Sequence, residues 1–298
     1  MKPLLLAEAA MPDATTMSRA HYAAAPSSWH AELELWFAPA AGKTRLMRRR
    51  HLGPLVVQKP FHPEKDGTCH VYLLHPPGGV AGGDQLDLRF HVAPASRALL
   101  TTPGATKFYR AEHGQSTQRT TIDVAEGSVC EYLPQETILF DGANAAVDTQ
   151  VSLAGDATYI GWDFFCLGRP AADERFETGQ LRQRIEISRD GSPIWFERMR
   201  LPGGSPVMTA RHALAGHPTF GTMVYAGPLA EDAAERVRAA IGTDGDGVFS
   251  VSQLDHVVVC RYLGPRVSAG KALFARAWNA LRNSCQGKAA SPPRIWAT

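Results

Sequence analysis

Five cysteines in 298 residues, none spaced as a C-x-x-C pair, leave this sequence without a disulfide framework or a redox motif. Cys69, Cys130, Cys166, Cys260 and Cys285 are an odd number, and four of them adjoin apolar residues, as buried thiols in a reducing cytosol do. Long apolar runs are missing too. Leu4-Leu5-Leu6-Ala7 is too short to cross a bilayer and lacks a signal-peptide core and cleavage pattern, so a soluble, cytoplasmic protein with no membrane partner is expected. Charge of one sign is scarce: 31 basic and 29 acidic residues are interspersed and sum to +2. That balance argues against the polybasic footprint of a nucleic-acid binder. The one basic cluster, Arg45 to His51, reads as a solvated strand end.

Familiar chemical signatures are equally sparse. Gly78 to Gln85 has the glycines of a phosphate loop, but Asp84-Gln85 stands where Lys and Ser or Thr belong, and a carboxylate repels phosphate. Asp244 to Ser250 opens like a calcium loop, yet its Gly is misplaced and no Glu closes it, so it reads as a hairpin turn. Eleven histidines form no H-E-x-x-H pair or tight His/Cys cluster. There is no G-x-S-x-G elbow.

What the chain does have is strict alternation. Ala31 to Phe37, Leu86 to Val92, Thr120 to Val124 and Leu181 to Ile187 each place apolar side chains on one face of a strand. Turn signals separate them at Asp66-Gly67, Glu126-Gly127, Asp141 to Asn144 and Arg189 to Pro193. Helical spacing is confined to the last third, over Leu229 to Ile241 and Ala269 to Arg282. The expected fold is therefore mainly β with two late helices, built as a sandwich, stacked layers or a β-helix. Residues 1–28 lack any period and are expected to be a disordered or mobile tail, leaving 29–298 as a single β domain.

Two features point toward a site. His75-Pro-Pro-Gly-Gly-Val-Ala-Gly-Gly-Asp84 follows an apolar strand, and its prolines and glycines specify a rigid loop that presents Asp84 in one place. Glu131, Asp163 and Glu197 sit among bulky apolar residues. Any of them that faces the interior requires a wetted cavity, a metal path or a paired cation, and Arg110, Arg169 and Arg198 are nearest in sequence.

Six strings carry a family resemblance: Gly53-Pro54-Leu55 through Gln58-Lys-Pro60, Tyr72 to Asp84, Thr101 to Arg110, Leu133 to Ile138, Cys166 to Pro170 and Pro293 to Thr298. In this order the chain resembles the UreD (UreH) family of urease accessory proteins. Cys130, Tyr132 and His62 depart from the usual family residues at positions that concern packing. The resemblance implies a β-helix-like stack of short strands with two α-helices in the C-terminal third. It implies a non-enzymatic scaffold that binds UreF and, through it, UreG, docks on apo-urease and helps deliver nickel, with an internal polar tunnel as the route. No tightly bound cofactor is implied; nickel passes in transit.

Residue by residue, the resemblance makes Asp84, Asp163 and Glu197 the candidate nickel-path carboxylates, and His75, Thr106 and Lys107 tunnel-lining or structural. Ni²⁺ in transit needs oxygen and imidazole contacts that release it, which scattered Asp, Glu and His supply. Read without the family, each has a plainer role: Asp84 capping its own loop, Thr106 in a turn, Lys107 exposed. The competing reading is a carboxylate hydrolase or lyase in which two of Asp84, Glu131, Asp163 and Glu197 converge in an open groove. The amphipathic C-terminal helices are the expected UreF contact, their apolar stripe being wider than one core needs.

Overall fold

The computed structural model describes residues 28–242 and 246–297; the expected mobile tail, but for its last residue, lies outside them. The strands in chain order are β1 (His30–Ala40), β2 (Lys43–Leu52), β3 (Val56–Val57), β4 (Cys69–Leu74), β5 (Gln85–Val92), β6 (Arg97–Thr101), β7 (Thr106–Phe108), β8 (Ser116–Val124) and β9 (Val129–Tyr132). They continue as β10 (Thr137–Leu139), β11 (Asn144–Leu153), β12 (Thr158–Leu167), β13 (Gln180–Arg189), β14 (Ser192–Pro202), β15 (Thr219–Ala226), β16 (Val248–Leu254) and β17 (Val257–Gly264). A short helix α1 (Pro206–Thr209) precedes β15, α2 (Ala233–Ile241) follows it, and α3 (Val267–Gln286) closes the series.

The chain is mainly β and winds as a solenoid of about four turns. One sheet, the outer one, has the order β14-β13-β11-β8-β5-β1-β2, and the other, the middle one, runs β16-β17-β15-β12-β9-β6-β4-β3. Successive coils contribute one strand to each sheet, so β5, β8, β11 and β13 are parallel neighbours, as are β4, β6, β9 and β12. β7 and β10 form a short third side. Antiparallel hairpins cap both ends of the outer sheet, β1 with β2 and β13 with β14.

Three layers result. One core lies between the sheets, with Leu33, Phe90, Ile122, Val147, Tyr159 and Phe165 in it. A second lies between the middle sheet and the helices, where Ile160, Trp162 and Phe164 meet Phe274, Ala277 and Trp278. This explains the two sequence patterns: the alternating segments all fall on the outer sheet, which has one bare face. The middle sheet is covered on both sides, so β12 is buried almost without interruption.

The Pro/Gly loop is as rigid as its composition requires. Val80 is fully buried and extends the third side, its N–H donating to Lys107 at 2.7 Å while its carbonyl accepts from Tyr109 at 3.0 Å. Gly79 lies where a Cβ would stand 2.3 Å from the Tyr109 ring, so only glycine fits.

The helices begin and end elsewhere than the spacing suggests. The Leu229 segment becomes helical only at Ala233, because Pro228 and the residues after it form a connection, while α3 runs a turn further to Gln286 and stops at Gly287 in the left-handed region. The stripe expected to serve a partner is spent inside the molecule, since Leu273, Phe274, Ala277, Trp278 and Leu281 are buried against the middle sheet. Of Asp244 to Ser250, expected as a hairpin turn, residues 244–245 lie outside the described residues and Val248 to Ser250 open β16.

Candidate functional site

Of the six site residues read from the sequence, His75, Thr106 and Asp163 line one cavity between the sheets, of about 40 Å³. Gln118, Tyr132, Gln135 and Thr137 complete its polar wall. That volume exceeds the roughly 10–15 Å³ that a single water needs, and the wall offers the partners such a water requires. His75 and Thr106 also line an adjoining hollow of about 200 Å³, which Lys107 borders. His75 and Thr106 thus border both hollows, and Asp163 lines the inner one. The larger hollows, of about 500 and 570 Å³, hold none of the six residues.

β12 directs Asp163 toward the outer sheet, because odd positions of this strand face that core and even positions face the helices. Its only hydrogen-bond partner among the described residues is Gln183, whose Nε2 donates at 3.2 Å. The accessible surface Asp163 retains faces cavities, the one above and a smaller one of about 10 Å³ on its far side. Burial pushes its carboxyl up to about 6, the Gln183 amide draws it back, and the negative charge of Glu197 pushes it up again. Burial likewise holds His75 below the ordinary histidine range, opposed by the charge of Asp84. At neutral pH the imidazole is neutral and the Asp163 carboxylate mostly ionised, the forms in which both bind a metal.

Glu197 lies near Asp163 on its other side. Thr222 stands beside Asp163 in the β12–β15 register, and its hydroxyl donates to Glu197 at 3.1 Å. Arg261, beside Thr222 in the β15–β17 register, donates to the other Glu197 oxygen at 2.6 Å. The guanidinium is half exposed.

Asp84 stands apart, lining neither the cavity nor the adjoining hollow. Its two carboxylate oxygens accept from the N–H groups of Trp29 at 2.8 Å and Ala81 at 2.9 Å. It thus closes its own glycine-rich loop and pins the start of β1, which is the plainer of the roles open to it in sequence.

Of the four carboxylates of the hydrolase reading, Asp163 and Glu197 are neighbours and the other two lie elsewhere. Glu131 lies on the helix side of the middle sheet, opposite to Asp163, and Asp84 is committed to backbone. The cations nearest in sequence are not their partners either. Arg110 pairs with Asp141, Arg169 with Glu174, and Arg198 lies over the Phe196 ring. Strand stacking brings together residues far apart in sequence, so proximity along the chain is no guide to pairing.

Glu131's actual partner was not foreseen. Arg282 of α3 is fully buried and uses all five of its donors: two on Glu131 at 2.8 Å, two on Glu64 at 2.8 and 3.0 Å, and one on the Ala289 carbonyl at 3.1 Å. His70 and Lys288 complete the cluster around Glu64. Burial alone would raise Glu64, but hydrogen bonds from His70 and Arg282 and the charges of Arg282 and Lys288 hold it well below the usual range. One signal was available: Phe274, Trp278 and Arg282 follow at four-residue spacing, which places a cation on the buried stripe.

Among the described residues, no three His, Cys, Asp or Glu side chains are grouped closely enough to hold a metal ion. The described residues contain no helix long and apolar enough to cross a membrane. The fold is a β-solenoid body with Asp163 at small cavities inside it. Residues 30–297 match the model of the family described as UreD urease accessory protein. The chain is 61% identical over 272 residues to the urease accessory protein UreD 2 of Brucella anthropi, covering 91% of this chain and 99% of that one. It is 46% identical over 275 residues to the urease accessory protein UreD of Dechloromonas aromatica, covering 91% and 95%, and 42% identical over 273 residues to that of Nitrosococcus oceani, covering 92% of each. The chain belongs to the UreD family of urease accessory proteins.

Proposed function

We propose that this chain is a non-catalytic, cytoplasmic scaffold of urease maturation that binds UreF, and UreG through it, docks on apo-urease and passes Ni²⁺ through its interior. The observation that carries the nickel reading is the placement of Asp163: an ionisable group in a cavity that His75 and Thr106 share with a hollow outside, followed by Glu197 on the other side. Such a line offers imidazole and carboxylate oxygen singly, which lets Ni²⁺ step along without being trapped. Thr106 and Lys107 shape the hollow at one end, and Asp84 acts by holding the loop that carries His75. Asp163 opens on cavities of about 40 and 10 Å³, too small for the sugar-like substrate of a carboxylate hydrolase, which supports a scaffold. Five unpaired thiols suit a reducing cytosol.

The test replaces Asp163 by Leu in the full chain, co-expressed with the maturation proteins and urease. Association with UreF and apo-urease is expected to persist while the nickel content of purified urease falls several-fold. Full nickel loading by the variant would remove the conduit; loss of association with an intact fold would move Asp163 to an interface.

A further inference from the structure

We propose that the exposed face of the β13–β14 hairpin is a docking surface for an extended, glutamate- or aspartate-bearing segment of a protein partner. Arg182 and Arg184 on β13 and Arg198 and Arg200 on β14 all point away from the core, because Leu181, Gln183, Ile185 and Leu201 alternate with them on the buried side. The register sets Arg182 directly opposite Arg200 and Arg184 opposite Arg198. Like charges facing each other across a strand pair destabilise the sheet, so folding alone gives no reason for this arrangement.

Nearby carboxylates offset one of the four arginines. Glu186 pairs with Arg184, and Asp148 lies beside Arg184 in the β11–β13 register. Among the described residues Arg182, Arg198 and Arg200 have no carboxylate partner: Arg200 donates to the Gln180 side-chain oxygen at 3.0 Å, and Arg198 lies 4.6 Å from the Phe196 ring centre. The β2 edge, also arginine-rich, is arranged differently. There Arg50 is paired with Glu32 and Glu34, and Arg45, Arg48 and Arg49 stand opposite Ala38, Trp36 and Leu35, so no arginine faces another across the strand pair.

Two further features specify the occupant. Phe196 is 47% exposed on this face, an apolar contact point beside the cations. Among the described residues β14 ends the outer sheet and pairs with β13 alone, so its far edge offers backbone donors and acceptors to an added strand. Arg198 and Arg200 are two residues apart on one face, the same spacing at which an extended partner presents alternate side chains. Carboxylates at alternate positions, with an apolar residue toward Phe196, therefore match the surface in charge and in period, and each can accept a bidentate pair from an arginine. A patch confined to two strands of a chain whose charges otherwise balance fits such a segment better than a nucleic acid.

The test titrates the full chain into a fluorescein-labelled decapeptide of alternating Glu and Val, read by anisotropy, with the Lys-Val peptide and a labelled DNA duplex as comparisons. The Glu-Val peptide is expected to bind, several-fold more weakly at 200 than at 50 mM salt. R198E/R200E is expected to weaken it at least tenfold, and Phe196→Ser a few-fold. Should the reversal variant fail to fold by circular dichroism, R198Q/R200Q serves, with a smaller loss expected. No binding of the Glu-Val peptide, or binding insensitive to these variants, overturns the proposal. Duplex DNA bound as tightly, through the same arginines, overturns it in favour of a general polyanion surface. None of these outcomes depends on nickel passing through the interior.

Discussion

Asp163 and Arg282 show two ways in which this molecule keeps a charge away from bulk water, and their substitutions should behave oppositely. Asp163 is buried near the charge of Glu197, with the Gln183 amide drawing the other way, so its carboxyl is held up to about 6, above the value near 4 of an unfolded chain. Its contribution to stability is whole below about pH 4 and is lost as pH rises through about 6. Asp163→Asn should therefore be more stable than the parent at pH 7.5, by about 1–3 kcal/mol, with the difference shrinking toward zero near pH 4. Urea unfolding at the two pH values measures it; a variant equally or less stable at pH 7.5 would show that the carboxylate is not strained there. Arg282 instead neutralises Glu64 and Glu131 inside the second core. Arg282→Met leaves two carboxylates buried without their cation and should cost about 3–5 kcal/mol, part of which returns when Glu64→Gln and Glu131→Gln are added. Failure of the added changes to recover stability would mean that the guanidinium acts through packing alone.

At the scale of elements, the end of the chain is a lock on α3 and the middle sheet. Trp296 packs against Trp162 and Trp278 at ring separations of 5.5 and 5.8 Å, and its indole N–H donates to Thr101 at 2.8 Å. These contacts join three elements at the margin of the second core. Trp296→Ala should lower stability by about 2 kcal/mol, and deletion of residues 293–298 by more, read as an earlier thermal transition with loss of helix signal. An unchanged transition in the deletion would detach the tail from the fold. The loop between β4 and β5 is legible at this scale in sequence, because Pro and Gly act through local backbone geometry. The helix ends were less so, since α2 starts only after the connection that follows Pro228 and α3 runs past Arg282 to its stop at Gly287.

For the whole molecule, stacked coils leave strand edges at both ends of the solenoid, and β2, β14 and β16 carry exposed Met47, Leu52, Phe196, Val248 and Leu254. Such edges recruit other strands unless something covers them. The chain alone should aggregate at a lower concentration than when co-expressed with its maturation partners, as light scattering during concentration would show. Equal solubility in both states would mean that the charged side chains on these edges suffice to protect them.

Alternation along β1, β5, β8 and β13, the Gly/Pro loop and the six family strings were open to reading in the sequence, because each acts over a few residues or as a whole string. Asp163 could be singled out as a carboxylate among aromatics for the same reason. Its cavity could not, nor the bond from Glu197 to Arg261, nor the burial of Arg282 between Glu64 and Glu131. Those contacts join residues 64 to 218 positions apart, and only the stacking of coils and the docking of α3 set which of them meet. A parallel solenoid makes neighbours of residues one whole turn apart, a separation that depends on every loop between them and on no local pattern.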